Sequence, residues 1–206
     1  REPEDLYQSP EQSADYLSLT QTIRNVKDSL AQEYGVEVED VSVMSGDNTA
    51  LIQLQDLDRD GERETAVTFF RVSEAEKPLK IYFFTRTAED TYTVSAMVEG
   101  NGTAIYRVDY VDLNGSGCKE VVVSWQMSTG VYLLGAYSLE EAMVRSLQYA
   151  ASAPAGSASA QGLPDREALR ATEWMTTVYD NYALYDLDQD TRTELAVVRV
   201  LSLIHI

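Results

Sequence analysis

The chain of 206 residues has one cysteine, Cys118, and one histidine, His205. A lone cysteine excludes an intramolecular disulfide and any multi-cysteine metal site, and no Ser–His or Cys–His nucleophilic pair has a credible second member. The thiol falls within an acidic stretch and reads as incidental. There is no run of 18 apolar residues and no signal peptide, so no membrane-spanning helix is expected. Because the first residue is Arg1 and not Met, removal of an export signal is an expectation. Basic residues are scarce: 16 Lys and Arg stand against 34 Asp and Glu, a formal charge of −18. That balance argues against nucleic acid or anionic membrane as partners, since both reward the opposite sign. Bound cations would relieve it; equally, an acidic surface keeps a protein soluble.

Apolar residues are not lacking. They make up 44% of the chain, ordinary for a globular protein, and a chain of this length buries roughly 70% of its unfolded surface, enough for one substantial core.

The most informative stretch is Asp56-Leu57-Asp58-Arg59-Asp60-Gly61-Glu62-Arg63-Glu64, followed by Thr65-Ala66-Val67. It recurs in weaker form from Asp112 to Glu120 and from Asp186 to Glu194, an internal repeat. All three copies have Asp first, Leu second, an oxygen-bearing side chain at positions 3 and 5, and Glu at position 9. Oxygens at alternate positions of a tight loop converge on one centre, as a hard cation requires, and Gly at position 6 permits the sharp turn. In the first loop the ligands would be Asp56, Asp58, Asp60 and Glu64, with the carbonyl of residue 62. An EF-hand is excluded, because position 12 is Val67, Val123 or Val197 where a bidentate Glu is needed, and the flanks read as strands.

Residues 1–12 read as a flexible polar leader. Across 13–35, Tyr16, Leu19, Ile23, Val26, Leu30 and Tyr34 recur at steps of three and four, an amphipathic helix that Gly35 ends; it packs on a sheet or binds a partner. Strands follow at Leu51–Gln55, Thr65–Val72, Leu79–Thr85, Tyr92–Val98, around Tyr106–Tyr110, and at Val121–Met127 and Val131–Tyr137. Asn101-Gly102 predicts a hairpin turn; with Thr103 it also spells a glycosylation sequon. Trp125, within a strand, is expected in the core, with ligand stacking as the alternative. Residues 150–162 are of low complexity and read as a flexible insertion. A short helix is expected at Asp165–Glu173, then extended structure over Trp174–Leu184.

The repeat of strand, DxDxDG-type loop and strand, covering roughly residues 45–200, resembles the FG-GAP and VCBS repeats of integrin-like β-propellers. In that family each repeat forms most of a four-stranded blade, and calcium is held by positions 1, 3, 5 and 9 and the carbonyl of position 7. The resemblance implies an all-β fold, a partial β-propeller of about three repeats over 36–200 preceded by one helix. Calcium loops would lie at 56–64, 112–120 and 186–194. Loop 2 would supply Asp112, Asn114, Ser116 and Glu120, with fewer formal charges and weaker binding. Loop 3 would supply Asp186, Asp188, Asp190 and Glu194, but Thr191 stands where Gly is expected, which puts a positive-φ turn in doubt. The leader, helix and first repeat are also similar to exported lipoproteins of Gram-positive bacteria, whose acylated cysteine would lie upstream of Arg1. The final Leu-Ser-Leu-Ile-His-Ile, 201–206, resembles the translation of a sequencing adapter, which would make it a non-native tail on a fragment.

These features imply a calcium-stabilised extracytoplasmic module, with no catalytic activity, that binds a protein or carbohydrate ligand. Two alternatives stand beside it. One is a part of a polysaccharide-active propeller enzyme, for which Asp109 and Asp180 are the loose carboxylate candidates. The other is a purely structural segment of a larger cell-envelope protein.

Overall fold

The computed structural model describes residues 14–87, 91–152 and 163–199. The leader at 1–12, most of the 150–162 insertion and the 201–206 tail lie outside the described residues.

Helix α1 spans Ala14–Tyr34. Leu19, Val26 and Leu30 are buried along the predicted stripe, and the chain leaves the helix at Gly35, whose φ of +69° is one that glycine adopts without strain. Five strands follow: β1 (Glu39–Asp40), β2 (Ile52–Gln55), β3 (Thr65–Arg71), β4 (Leu79–Arg86) and β5 (Tyr92–Gly100). They form one antiparallel sheet in which β3, β4 and β5 run as a meander, while β1 and β2 share the outer edge of β3. A second antiparallel meander contains β6 (Ala104–Val111), β7 (Glu120–Ser128), β8 (Val131–Ser138) and β9 (Thr172–Val178). The last pair, β10 (Asn181–Tyr185) and β11 (Glu194–Val198), is a hairpin.

The period of two in the strand sequences sorts side chains between layers. Val67, Phe69, Ile81, Phe83, Ala96 and Val98 of the first sheet face Ile105, Val108, Val121, Val123 and Trp125 of the second, and this is the largest core cluster. Ala66, Phe70, Tyr82, Phe84 and Val94 point the other way, onto the apolar stripe of α1. On the far side of the second sheet, Val122, Leu134, Ala136 and Tyr179 meet Tyr182, Leu195 and Val197 of the hairpin. The layers run helix, sheet, sheet, hairpin. Because both faces of the first sheet are covered, all of β3 except its last residue is buried.

The all-β expectation holds in coarse form, since the described chain is mostly strand with few helices. Helix α2 (Glu140–Ser152), outside the expected elements, lies between β8 and β9 and is followed by α3 (Arg166–Leu169), which falls within the short helix expected at Asp165–Glu173. Two expectations are corrected. Residues 150–152, expected in the flexible insertion, belong to α2. This insert covers the free edge of β5, where Ala171 N–H donates to Met97 O at 2.9 Å and Ser146 Oγ donates to Ser95 O at 3.0 Å. Finally, the Asn101-Gly102 turn does not close a hairpin. Strand β5 ends the first sheet and β6 begins the second. Thr103 N–H is held by Gln126 O of β7 at 2.7 Å, so the turn directs the chain onto a new sheet.

Candidate metal centres

Each of the three acidic loops joins two strands that pair antiparallel: loop 1 joins β2 to β3, loop 2 joins β6 to β7, and loop 3 joins β10 to β11. Their backbones agree as well. Position 4 has positive φ in all three, Arg59 at 62°, Gly115 at 73° and Gln189 at 62°, and so does position 6, Gly61 at 96°, Gly117 at 94° and Thr191 at 72°. Thr191 therefore takes the conformation that its side chain disfavours, and the expectation of doubt there is settled in favour of the turn.

The cause is a common hydrogen-bond scaffold. The position-1 carboxylate accepts the position-6 N–H in each loop: Gly61 to Asp56 Oδ2 at 2.9 Å, Gly117 to Asp112 Oδ2 at 3.0 Å and Thr191 to Asp186 Oδ2 at 2.8 Å. Position 3 accepts from position 5, as Asp60 to Asp58, Ser116 to Asn114 and Asp190 to Asp188. Position 5 accepts from position 7, as Glu62 to Asp60, Cys118 to Ser116 and Arg192 to Asp190. With their N–H groups turned inward, the loops hold the side-chain oxygens of positions 1, 3 and 5 together.

Convergence of carboxylates is tightest in loops 1 and 3. One oxygen from each of Asp56, Asp58 and Asp60 lies within 4.8 Å of the others, and Asp186, Asp188, Asp190 and Glu194 form a set of four on the same criterion. Glu64 stands outside the loop 1 set; with Asp58, Cys118 and Glu140 it lines a cavity of about 80 Å³. Glu194 and Glu120 each accept the N–H of the position-2 leucine, Leu187 at 2.6 Å and Leu113. Loop 2 has only Asp112 and Glu120 as carboxylates, beside Asn114 and Ser116.

The electrostatics follow from this crowding. Burial would push Asp56 up, but the N–H groups of Gly61, Arg59 and Asp60 outweigh it and hold the carboxyl below the ordinary range. Burial and then the charges of Asp58 and Asp60 push Glu64 up. Burial and the charges of Asp60 and Asp56 push Asp58 up. Glu120, 1% exposed, is raised by burial and by Asp112. These groups would gain from a cation placed among them. The donor set of hard carboxylate oxygens at loops 1 and 3 fits calcium, which accepts six to eight oxygens in flexible geometry. Cys118 is pushed up by burial and by Glu140.

The remaining candidates are placed elsewhere. Trp125 is 1% exposed and belongs to the core. Asp109 is held by Arg107 Nε at 2.8 Å and by the Tyr182 hydroxyl at 2.9 Å. Sequence reasoning missed Arg59 of loop 1, whose Nη1 lies 3.4 Å from Asp112 Oδ2 of loop 2. It also missed the Lys119 N–H bond to Leu57 O at 2.7 Å. No local signal announces contacts between residues more than 50 apart in sequence. Compared with protein-family models, curated proteins and solved structures, the chain matches none.

Proposed function

We propose that this chain is a calcium-stabilised, extracytoplasmic binding module without catalytic activity, built as an open array of propeller-type units of the FG-GAP/VCBS kind. One observation carries the reading: three loops, each joining a pair of antiparallel strands, share left-handed residues at positions 4 and 6 and a common scaffold of inward N–H groups. Two of them gather three or four carboxylates. Calcium would be held by Asp56, Asp58 and Asp60, with Glu64 outside that set, and by Asp186, Asp188, Asp190 and Glu194. Its role is structural, neutralising converging charge and pinning the bend between two strands. A formal charge of −18 suits a compartment with millimolar calcium, and the ligand is a protein or carbohydrate.

The polysaccharide-enzyme alternative gains nothing from Asp109, whose carboxylate is committed to Arg107 and Tyr182. At a dissociation constant of ~10⁻⁴ M and ~1 mM free calcium, one site adds ~1.4 kcal/mol, or roughly 3–6 °C in a domain of this size. Thermal unfolding in calcium and in chelator tests the reading. No rise in melting temperature with millimolar calcium, together with no fall in chelator, would refute it.

A further inference from the structure

Between α1, strands β4 and β5, and the segment that carries α3 lies a cavity of about 350 Å³, a size that takes small molecules. Val26, Leu30, Val94 and Leu169 form its apolar floor, and all four are buried. Tyr82 of β4 lines it as well and is 3% exposed. Its ring packs on Phe70 and Phe84, but its hydroxyl makes no hydrogen bond among the described residues. A phenol this deep in a protein ordinarily has a partner. Nor is the hydroxyl sealed off: among the described residues the fully enclosed side-chain atom without a partner is Thr68 Oγ1. The space that the Tyr82 hydroxyl meets is the cavity.

The rim decides what charge an occupant can carry. Arg166 is ion-paired with Glu33 and donates to the Tyr34 hydroxyl. Arg170 reaches Glu167 at 3.2 Å and Glu99 at 3.5 Å. Asp165, the remaining charged residue of the lining, is exposed to solvent. An anion would have to displace a carboxylate from an arginine, and a cation an arginine from a carboxylate, so either one breaks a pair that already exists. An uncharged molecule disturbs neither. Burial and the charge of Glu99 push the Tyr82 hydroxyl above its ordinary range, which keeps it a donor at neutral pH. We infer that this cavity is a binding site for an uncharged small molecule with an aliphatic or aromatic body and one oxygen acceptor, which receives the hydrogen bond of the Tyr82 hydroxyl. The site is separate from the acidic loops and needs no cation. Its occupant would tie α1 and the α3 segment to the first sheet.

Acetophenone is the probe, with benzoate and benzylammonium as its charged analogues and ethylbenzene as the analogue without an acceptor. Binding is followed through the amide signals of the isotope-labelled chain in chelator. Acetophenone should shift the amides of Val26, Leu30, Tyr82 and Val94 with a dissociation constant on the order of 1 mM, and the two charged analogues at equal concentration should leave them in place. Tyr82→Phe keeps the ring and should weaken acetophenone about 3–10-fold while leaving ethylbenzene unchanged. Because the hydroxyl has no partner to lose, the same variant should melt no lower than the unmodified chain. Ser29→Trp, at an exposed position of the mouth, should block acetophenone without altering the core. Absent shifts, an equal response to either charged analogue, undiminished affinity or a lower melting temperature in Tyr82→Phe, or acetophenone retained by Ser29→Trp would each overturn the inference. Since chelator removes calcium, such a failure leaves the calcium reading intact.

Discussion

Gly100 of β5 lies flat against the indole of Trp125 in β7: a Cβ at position 100 would come within 2.5 Å of the ring carbons. This contact joins the two sheets. It is fixed from the other side by Trp125 Nε1, which donates to the Tyr137 hydroxyl at 2.9 Å. Since the indole is buried among close-packed neighbours, it has nowhere to retreat. Gly100→Ala should therefore destabilise the protein by about 1–3 kcal/mol, read from urea unfolding; an unchanged midpoint would show that the joint is looser than described.

Tyr137→Phe isolates the hydrogen bond. The ring packing survives, edge-on to Trp125 at 85°, but the buried indole N–H loses its acceptor. The expected cost is about 1–3 kcal/mol, with little change in the slope of the denaturant curve.

Thr191 offers the opposite sign. A β-branched residue at φ of 72° carries local strain of order 1–3 kcal/mol, partly offset in any exchange by the greater chain entropy of glycine. Thr191→Gly should raise stability by roughly 1 kcal/mol, whereas Gly61→Thr should lower it by a similar amount. Thermal melts in chelator measure both without interference from bound ions.

Acid should act differently with and without calcium. In the ion-free protein, Asp58, Glu64 and Glu120 have raised carboxyls. The folded state then binds protons more readily than the unfolded chain, and stability rises as pH falls from neutral toward the ordinary carboxylate range, about 4. Asp56, held low, contributes stability that is present above that range and is lost as pH falls below it. With calcium bound, protons compete with the ion and stability should fall over the same interval. Melting temperatures at about pH 7.5 and about pH 5, in chelator and in millimolar calcium, check the crossover.

Lys80 is 1% exposed and ion-paired with Glu99, beneath the Tyr34 ring of α1 at 6.0 Å. Lys80→Ala leaves a buried carboxylate with only Arg170 at 3.5 Å, and should cost about 3–5 kcal/mol. The double change Lys80→Met/Glu99→Leu should recover most of that loss, which a double-mutant cycle would quantify.

The loops and most strands were legible because their information is local. Runs of β-branched and aromatic residues name the strands but not their faces, since β7 is buried on both sides and a register shift in β5 turns Val94 toward α1 and Ala96 toward the second sheet. Asp-rich turns set their own hydrogen bonds within nine residues. Helix α2 was not legible. Its buried side consists of Ala142 and Ser146, while Val144, Leu147 and Tyr149 are exposed, so the stripe that announces an amphipathic helix is blurred. The Asn101-Gly102 turn carried a hairpin signature, yet pairing of β6 with β7 decided its use. The Arg59 contact with Asp112 was invisible for a related reason, since it exists only once the two loops are brought together by the packed sheets.

Helix α1 occupies the outer face of the first sheet, burying Leu19, Val26 and Leu30 there. A further sheet could be laid on that face only by displacing the helix, so the stripe of α1 serves as a lid that keeps the rings of Phe70, Tyr82 and Phe84 out of water.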